Sequence, residues 1–185
     1  MPGELRNARI LILTSNTGVE HDELVVPRDR LRERGAQVIH AAEHDTPVQT
    51  YRHDLEPDEQ IQPDTTIDAV DPGEIDLLIV PGGTVNADRL RANEDARRLV
   101  RAATGAYKPV AAVCHGPWLL VDAEVLPGKT LTSYPSLRTD IRNAHGEWVD
   151  RPMVRDDTDG WTLITSRKPA DLPDFVEAIT RELTA

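Results

Sequence analysis

Residues 109–118 read Pro-Val-Ala-Ala-Val-Cys-His-Gly-Pro-Trp and contain Cys114, the single cysteine of this 185-residue chain. A short apolar run followed at once by Cys-His-Gly-Pro predicts a buried strand, a sharp turn and then a helix. The cysteine would stand at the tip of the turn, where the amides of the first helical turn point toward its sulfur. Such amides and the positive end of the helix dipole favour the thiolate, which is the nucleophilic form of cysteine. A buried structural cysteine is the alternative, because free cysteine is among the most buried residue types.

The bulk composition limits the size of the fold and the classes of partner. A length of 185 residues suits one compact domain, and we expect residues 1–185 to form a single domain. The net charge of −11 opposes binding to nucleic acids and anionic membranes, which require clustered lysine and arginine. No signal-peptide pattern and no membrane-span pattern is found in the sequence. One cysteine excludes an internal disulfide framework, so we expect a cytoplasmic protein in a reducing compartment.

Strand and helix patterns alternate along the chain. Apolar runs predict strands at residues 8–14, 37–42, 75–80 and 110–113. Helical spacing predicts helices at residues 19–34, 87–92, 95–104, 116–124, 137–144 and 172–183. Strands that alternate with helices indicate an α/β fold, with a mostly parallel sheet covered by helices on both faces. In such a sheet ligands bind beyond the carboxyl ends of the strands, the edge at which Cys114 and Gly82-Gly83 fall.

Two regions depart from this alternation. Residues 43–64 are rich in Pro, Asp, Glu, Gln and His and predict a surface excursion with room for short edge strands. Further along, we expect a short strand at residues 130–133. A hairpin is predicted from residues 147–150 and 161–166, turning at Asp159-Gly160.

The segment around Cys114 resembles the nucleophile segment of the ThiJ/PfpI superfamily, most closely that of its PfpI intracellular-protease branch. Other blocks are similar in order and spacing, and together they cover nearly the whole chain. They are Glu-His-Asp-Glu-Leu at 20–24 with Pro27, Leu-Leu-Ile-Val-Pro-Gly-Gly at 77–83, Thr-Ser-Tyr-Pro at 132–135, Asn-Ala-His-Gly-Glu-Trp-Val-Asp at 143–150 and Thr-Ser-Arg-Lys-Pro-Ala-Asp-Leu-Pro at 165–173. The resemblance implies a flavodoxin-like three-layer α/β/α sandwich, similar to class I glutamine amidotransferases, with the cysteine on a nucleophile elbow.

The resemblance also implies roles for two residues of the predicted site. Cys114 corresponds to the nucleophile, and Glu23 to the carboxyl group that the family places beside the sulfur. A carboxyl buried against a thiolate is favoured in its protonated, donating form, so this pair could tune the cysteine or move a proton. An ordinary helix-surface carboxylate is the alternative for Glu23. Glu20, one helical turn earlier, is expected at the rim of the pocket.

His115 corresponds to the general base of the family, and the near-neutral pKa of imidazole suits proton transfer. In the PfpI branch an acidic residue of a neighbouring subunit orients this histidine. The matching residue here is Asp88, if one extra residue is allowed after Gly83. From the residues alone, Asp88 is equally well explained as an acid that interacts favourably with a helix start. The resemblance therefore implies a homo-oligomer, a dimer or a hexamer, with the site near an interface.

The remaining site predictions concern the oxyanion and the pocket walls. Gly83 resembles the oxyanion-hole glycine of the family, whose N–H acts together with that of His115. We expect Gly82, Trp118 and Tyr134 to line the pocket. Trp118 stands where glutamine is frequent in the branch, which makes that wall larger and less polar.

Two other patterns are typical of functional sites but do not fit this chain. His145-Gly146-Glu147 mimics the His-x-Glu pair of glutamine amidotransferases, yet it lies too near the cysteine in sequence, and we interpret it as coincidence. His40, His44 and His53 lack the spacing of metal ligands, and solvated loop histidines are the better interpretation. We therefore predict neither a metal nor a cofactor.

These expectations indicate a cysteine-dependent stress-response hydrolase. It would act as an intracellular peptidase, or as a glyoxalase or deglycase on reactive carbonyls such as methylglyoxal. Its substrates would be small carbonyl compounds, peptides or glycated proteins. The alternative is a redox sensor or holdase chaperone whose Cys114 is oxidised without turnover. His115 favours the enzyme, because an oxidation sensor does not need a histidine next to its cysteine.

Overall fold

The structure is a computed structural model in which residues 4–185 are described. Its strands are β1 (Arg9–Thr14), β2 (Thr17–Glu20), β3 (Gln37–Ala42), β4 (Val48–Arg52), β5 (Glu56–Ile61), β6 (Thr65–Thr66), β7 (Leu77–Val80), β8 (Val110–Val113), β9 (Thr130–Leu131), β10 (Glu147–Trp148), β11 (Met153–Asp156) and β12 (Leu163–Ser166). Its α-helices are α1 (His21–Glu33), α2 (Thr84–Ala92), α3 (Glu94–Gly105), α4 (Pro117–Asp122), α5 (Arg138–Asn143) and α6 (Leu172–Thr184). Short 3₁₀ helices lie at Ile67–Ala69, Pro72–Glu74, Pro135–Leu137, Thr158–Gly160 and Pro169–Asp171.

The central sheet has the strand order β11-β12-β8-β7-β1-β3-β6. β11 runs antiparallel to β12, and the other neighbours pair in parallel. The succession β3-β1-β7-β8-β12 is the flavodoxin order, in which the second strand lies outside the first and the later ones follow on the other side. The chain leaves β1 toward β3 on one side and later continues from β7 toward β8 on the other, so a topological switch point lies between β1 and β7. Ligands bind at such a switch point, beyond the carboxyl ends of the strands.

Helices cover both faces of the central sheet. Successive side chains of a strand point to opposite faces, and β1 shows this directly. Ile10 and Ile12 pack in the cluster that contains residues of α1 and α6, whereas Leu11 and Leu13 pack with residues of α2, α3, α4 and α5. The predicted α/β/α sandwich is therefore confirmed.

The first helix begins later than the periodicity of residues 19–34 predicts. Residues Thr17–Glu20 form β2, which pairs in parallel with β4, and α1 starts only at His21. The pairing partner of β2 lies some thirty residues along the chain and is itself in the polar excursion. Local periodicity could not reveal that partner.

The predicted hairpin of residues 147–150 with 161–166 is wrong. β10 pairs in parallel with β9, and the antiparallel partner of β12 is β11. The turn itself is at the predicted place, since Asp159 and Gly160 have φ values of 59° and 84°. Trp148 packs against the apolar cluster above β8, which holds its strand away from β12.

The polar excursion contains β4 and β5, which pair as an antiparallel hairpin. With β2 they make a small second sheet, and the hairpin tip lies against the carboxyl edge of the central sheet. Across residues 4–185, no helix has both the length and the apolar character needed to cross a membrane.

A buried lysine anchors the far end of β9. Lys129 is fully buried, and its Nζ donates hydrogen bonds to the carbonyls of Thr158 and Trp161, the second at 2.7 Å. The same ammonium lies 3.5 Å from Asp156 and 4.1 Å from the centre of the Trp161 ring. Burial lowers the pKa of Lys129, and Asp156 opposes that shift. These contacts join β9 to the β11–β12 connection.

Candidate active site

Cys114 occupies the turn between β8 and α4 in a left-handed backbone conformation, with φ of 59°. Non-glycine residues adopt this region uncommonly, and at functional sites the surrounding structure holds them there. Here the backbone N–H of Cys114 donates to the carbonyl of Ser166 at 3.0 Å, and its carbonyl accepts from the N–H of Tyr134 at 2.8 Å. The side chain is only 8% exposed. This is the geometry of the predicted nucleophile elbow.

Gly82 and Gly83 bring their backbone against the cysteine. A Cβ at Gly82 would lie 2.5 Å from Glu23 Oε2 and 2.6 Å from Cys114 Cβ, so no side chain fits. The amides of Gly83 and His115 both interact with the sulfur and lower its pKa. We had expected amides from the first turn of the helix, but Pro117 has no N–H and α4 is short. The amides that interact with the sulfur belong instead to His115, in the elbow itself, and to Gly83, in the loop after β7.

Glu23 lies on α1 and is fully buried against the cysteine. Its Oε2 accepts a 2.7 Å hydrogen bond from the N–H of Gly82, whereas Oε1 has no hydrogen-bonding partner among the described residues. The carboxyl also interacts electrostatically with the Cys114 thiol. The surface-carboxylate alternative for Glu23 is wrong, because α1 turns this side chain into the space behind the sulfur.

Burial raises the pKa of Glu23 to about 8, although the Gly82 amide opposes the shift. Burial also raises the pKa of the Cys114 thiol, and a charged Glu23 raises it further. Two buried acids this close do not ionise together, so the pair holds at most one negative charge. When the proton is on Glu23, the carboxyl can donate to the thiolate, and the cysteine is free to ionise.

The free energy of unfolding should depend on pH through the protonation of Glu23. Its pKa is 4.5 in the unfolded chain and about 8 in the folded one, so the folded state binds more protons between these values. Wild type should therefore lose stability relative to Glu23→Gln as pH rises from 5 to 8, by roughly 1 kcal/mol per pH unit. Below pH 4.5 the difference should be constant. Denaturant unfolding of both proteins at several pH values measures this.

The control for this prediction is the same comparison in the Cys114→Ser background, where no thiol shares the proton. Burial is the largest cause of the shift, so the pH dependence should persist there. A difference between wild type and Glu23→Gln that stays constant from pH 5 to 8 would contradict a protonated Glu23.

His115 contacts Cys114 directly, because its Nδ1 lies 3.2 Å from Cys114 Sγ. The ring stacks on Tyr134 with centroids 4.6 Å apart and meets the edge of Trp118 at 5.4 Å. Its Nε2 lies 3.3 Å from Ser136 Oγ and 3.5 Å from Thr84 Oγ1. Burial lowers the pKa of His115, so the ring is neutral at pH 7 and can accept the thiol proton.

The site opens into a cavity of about 490 Å³ at the carboxyl edge of the sheet. Its walls come from β2, α1, the β4–β5 hairpin tip, the start of α2, the β8–α4 turn, the loop after β9 and the loop before α6. The lining residues are Glu20, Glu23, His53, Asp54, Gly83, Thr84, Cys114, His115, Tyr134, Lys168, Pro169 and Ala170. Among the predicted wall residues, Gly82 and Trp118 are not in this lining.

Trp118 supports the site from behind. Its Nε1 donates to Asp140 Oδ2 at 2.8 Å, and the Arg91 guanidinium lies 5.1 Å from the centre of its ring. The indole is thereby fixed against the edge of His115. The bulky Trp118 therefore supports the His115 ring and does not form part of the cavity wall.

Asp88 lies on the exposed face of α2 and makes no hydrogen bond to His115 within the described part of the chain. Its action across a subunit interface stays a prediction. Asp54, Thr84, Ser136 and Lys168 also lie at the site, and the sequence did not predict them there. Asp54 belongs to the polar excursion, and nothing in its local pattern separates it from the other acids there.

Of the two discounted patterns, only His53 borders the site cavity. His145 lines a separate surface cavity of about 510 Å³. His40 is buried, not solvated: its Nε2 is 2.7 Å from Thr14 Oγ1, and burial lowers its pKa to about 4. His44 and His53 are exposed. Within residues 4–185, no three His, Cys, Asp or Glu side chains are grouped to hold a metal ion.

Comparison with known proteins supports the predicted family. A family model described as the DJ-1/PfpI family matches residues 8–182. "Deglycase PH1704" of Pyrococcus horikoshii is 40% identical over 164 residues, which cover 89% of this chain and 92% of that protein. "Protein/nucleic acid deglycase 2" of Escherichia coli is 34% identical over 166 residues, covering 90% and 92%.

Solved structures agree with the sequence comparison. Drosophila melanogaster DJ-1beta superposes with a TM-score of 0.84 at 30% identity, covering 96% of this chain and 90% of that one. A ThiJ/PfpI domain protein from Brachyspira murdochii gives a TM-score of 0.82 at 16% identity, covering 95% of each chain, and shows the same fold. The motifs around Cys114 and Glu23, the elbow geometry and these similarities agree: the chain belongs to the DJ-1/PfpI family.

Proposed function

We propose that this protein is a cysteine-dependent deglycase, which removes the adducts that methylglyoxal forms with amino groups and converts free methylglyoxal to lactate. The observation that carries the proposal is the 3.2 Å contact between Cys114 Sγ and His115 Nδ1, backed by the buried carboxyl of Glu23. Relatives similar along nine-tenths of the chain are named deglycases. A thiol with an adjacent base and two nearby amides is suited to attack on a carbonyl carbon.

The reaction begins with the transfer of the Cys114 proton to His115. The thiolate bonds to the aldehyde carbon of methylglyoxal, and the amides of Gly83 and His115 stabilise the oxyanion. The oxygen then gains a proton, which completes a hemithioacetal. With an amine adduct, sulfur bonds to the carbinol carbon, the C–N bond breaks, and His115 protonates the departing amine.

The hemithioacetal is converted to lactate without an external oxidant. A base removes the proton from the sulfur-bearing carbon, and a proton is delivered to the neighbouring carbonyl carbon through an enediol. One carbon is oxidised and the other reduced, which leaves a lactoyl thioester on Cys114. Water then breaks the C–S bond and releases lactate and the thiol. His115 and Glu23 are the titratable groups closest to the sulfur and would carry these protons.

Peptide hydrolysis is the second candidate, because the same contacts serve acyl transfer. Sulfur would attack the peptide carbonyl, and His115 would protonate the leaving amine before water releases the acyl group. The amides of Gly83 and His115, which interact with the sulfur, support this candidate too, since they would act as its oxyanion hole. A cavity of about 490 Å³ would admit a short, extended segment.

The proposal includes the surroundings in which the enzyme works. Cys114 is the only cysteine and stays a free thiol, which suits the reducing cytoplasm. A homo-oligomer, dimer or hexamer, would bring Asp88 of α2 toward a neighbouring site. Light scattering coupled to size-exclusion chromatography measures the mass of the particle in solution, and the mass of a monomer would contradict the proposed oligomer.

The test compares three substrates with two proteins, wild type and His115→Ala. D-lactate formation from methylglyoxal and release of N-acetyl-lysine from its methylglyoxal adduct are measured beside cleavage of a fluorogenic peptide. His115→Ala should lower kcat about 100-fold to 1,000-fold, because it removes the acid–base group. The faster wild-type reaction identifies the substrate class. No turnover of any substrate, with reversible oxidation of Cys114, would contradict the enzyme and favour the redox sensor.

A further inference from the structure

The tip of the β4–β5 hairpin is built around two residues in left-handed conformations. His53 and Asp54 have φ values of 53° and 64°. Their backbone amides interact with the carboxylate of Glu20, at the end of β2, and lower its pKa against the raising effect of burial. Glu20 is itself only 8% exposed. The tip is thus fixed over the cavity by a buried acid.

The side chain of Asp54 makes two hydrogen bonds to one residue. Its Oδ1 accepts from the backbone N–H of Thr84, and its Oδ2 accepts from Thr84 Oγ1, both at 2.8 Å. Thr84 is the first residue of α2 and directly follows Gly83. A carboxylate at this position satisfies a free amide at the helix start. It also determines the direction in which the Thr84 hydroxyl donates.

Because its hydroxyl proton is given to Asp54, Thr84 Oγ1 presents only lone pairs to other groups. The nearest is His115 Nε2, at 3.5 Å. A lone pair there favours a proton on Nε2, which leaves the Nδ1 lone pair facing Cys114 Sγ at 3.2 Å. Ser136 Oγ, at 3.3 Å from Nε2, can either donate or accept and therefore selects neither form.

We propose that Asp54, acting through the Thr84 hydroxyl, orients His115 and holds it in the tautomer that accepts the Cys114 proton. An acid on the hairpin of the same chain then serves His115, in addition to the role predicted for Asp88 across a subunit interface. Asp54 and Thr84 are positioning residues, because neither touches the reacting sulfur. The inference deepens the proposed function and rests on it for its effect on turnover, but its effect on the His115 ring can be measured separately.

The surroundings of His115 make Asp54 the acid to test. The titratable groups that line the same cavity are Cys114, Glu20, Glu23, His53, Tyr134, Lys168 and Asp54 itself. Of these, Asp54 is the one whose charge raises the pKa of His115, against the lowering effect of burial. The exposed Asp88 makes no such contact within the described chain.

The experiment is long-range ¹⁵N–¹H NMR of the histidine rings in the full-length protein, with His115 assigned by its loss in His115→Gln. In wild type we expect the Nε2–H form at neutral pH. Asp54→Asn and Thr84→Val should each mix the tautomers. Asp54→Asn should also lower the His115 pKa by about 0.5 pH unit, the size expected for losing a charge at this distance in partly exposed surroundings. Thr84→Ser keeps the hydroxyl and should match wild type.

Asp68→Asn is the matched control, because it removes one exposed carboxylate from the surface away from the cavity. Thermal unfolding of each variant checks that the hairpin is retained. A second readout is turnover, where Asp54→Asn should lower kcat about 10-fold with KM within about twofold, a smaller loss than the roughly 100-fold expected when the acid–base group itself is removed. The proposal would be overturned if the His115 ring kept its wild-type tautomer in both Asp54→Asn and Thr84→Val. It would also be overturned if Thr84→Ser behaved like Thr84→Val. Because the ring is observed without substrate, a failed deglycase assay would leave this result intact.

Discussion

Replacing Cys114 by serine is expected to lower kcat for methylglyoxal by about 10,000-fold or more, the scale seen when an enzyme loses its nucleophile. Serine is nearly the same size, and its hydroxyl fits the turn that Ser166 and Tyr134 hold in place. Its oxygen, however, stays protonated at neutral pH, whereas the Cys114 thiol can pass its proton to His115 at 3.2 Å. D-lactate release by freshly reduced protein measures the difference.

The control is the fold of the variant. The free energy of unfolding of Cys114→Ser should lie within about 1 kcal/mol of the wild-type value, because the change conserves shape in a tight site. A folded Cys114→Ser that retains a tenth of wild-type turnover would contradict nucleophilic catalysis by this residue. A misfolded variant is recognised by its thermal transition, and then iodoacetamide-blocked wild type serves the same comparison.

Replacing Gly83 by alanine is expected to lower kcat about 100-fold to 1,000-fold, the effect of losing one oxyanion-hole donor. Gly83 has φ of 85°, and a Cβ there would lie 2.0 Å from the carbonyl oxygen of Gly18 and 2.7 Å from the backbone nitrogen of Glu20. Both neighbours are backbone, so Gly83 itself must shift. Its amide would then move away from the sulfur.

Gly105→Ala is the matched control for that variant. Gly105 ends α3, and a Cβ there meets nothing within 4 Å. Steady-state kinetics of both variants should show wild-type turnover in Gly105→Ala and a loss confined to Gly83→Ala. Equal kcat in the two variants, with both folded, would mean that the Gly83 amide does not stabilise the oxyanion.

The parallel strands of the central sheet could be predicted from the sequence, because each is marked by a pattern within a few neighbouring residues. Each of the main parallel strands is a short apolar run, as at Val110–Val113, and each is buried on both faces. The Cys-His-Gly-Pro order likewise encodes the elbow within a few residues. The family resemblance added Glu23, which lies far from Cys114 in sequence.

The remaining features depend on partners distant in the chain. The predicted helix takes in Val19 and Glu20 of β2, because the strand partner β4 lies in a polar segment with no strong strand pattern. The partner of β12 is β11, whose alternation is too short to distinguish from that of residues 147–150. Lys129 is a charged residue whose burial depends on carbonyls beyond β11. Asp54 reaches the site only because Glu20 fixes the hairpin tip.

The most direct test of the account is intact-mass spectrometry of the protein quenched during turnover of methylglyoxal. The account predicts a three-carbon adduct on Cys114 of wild type that disappears as lactate accumulates, and no adduct on Cys114→Ser. In His115→Ala the adduct should form more slowly. Lactate formation without any adduct on Cys114, at a rate that Cys114→Ser shares, would contradict it.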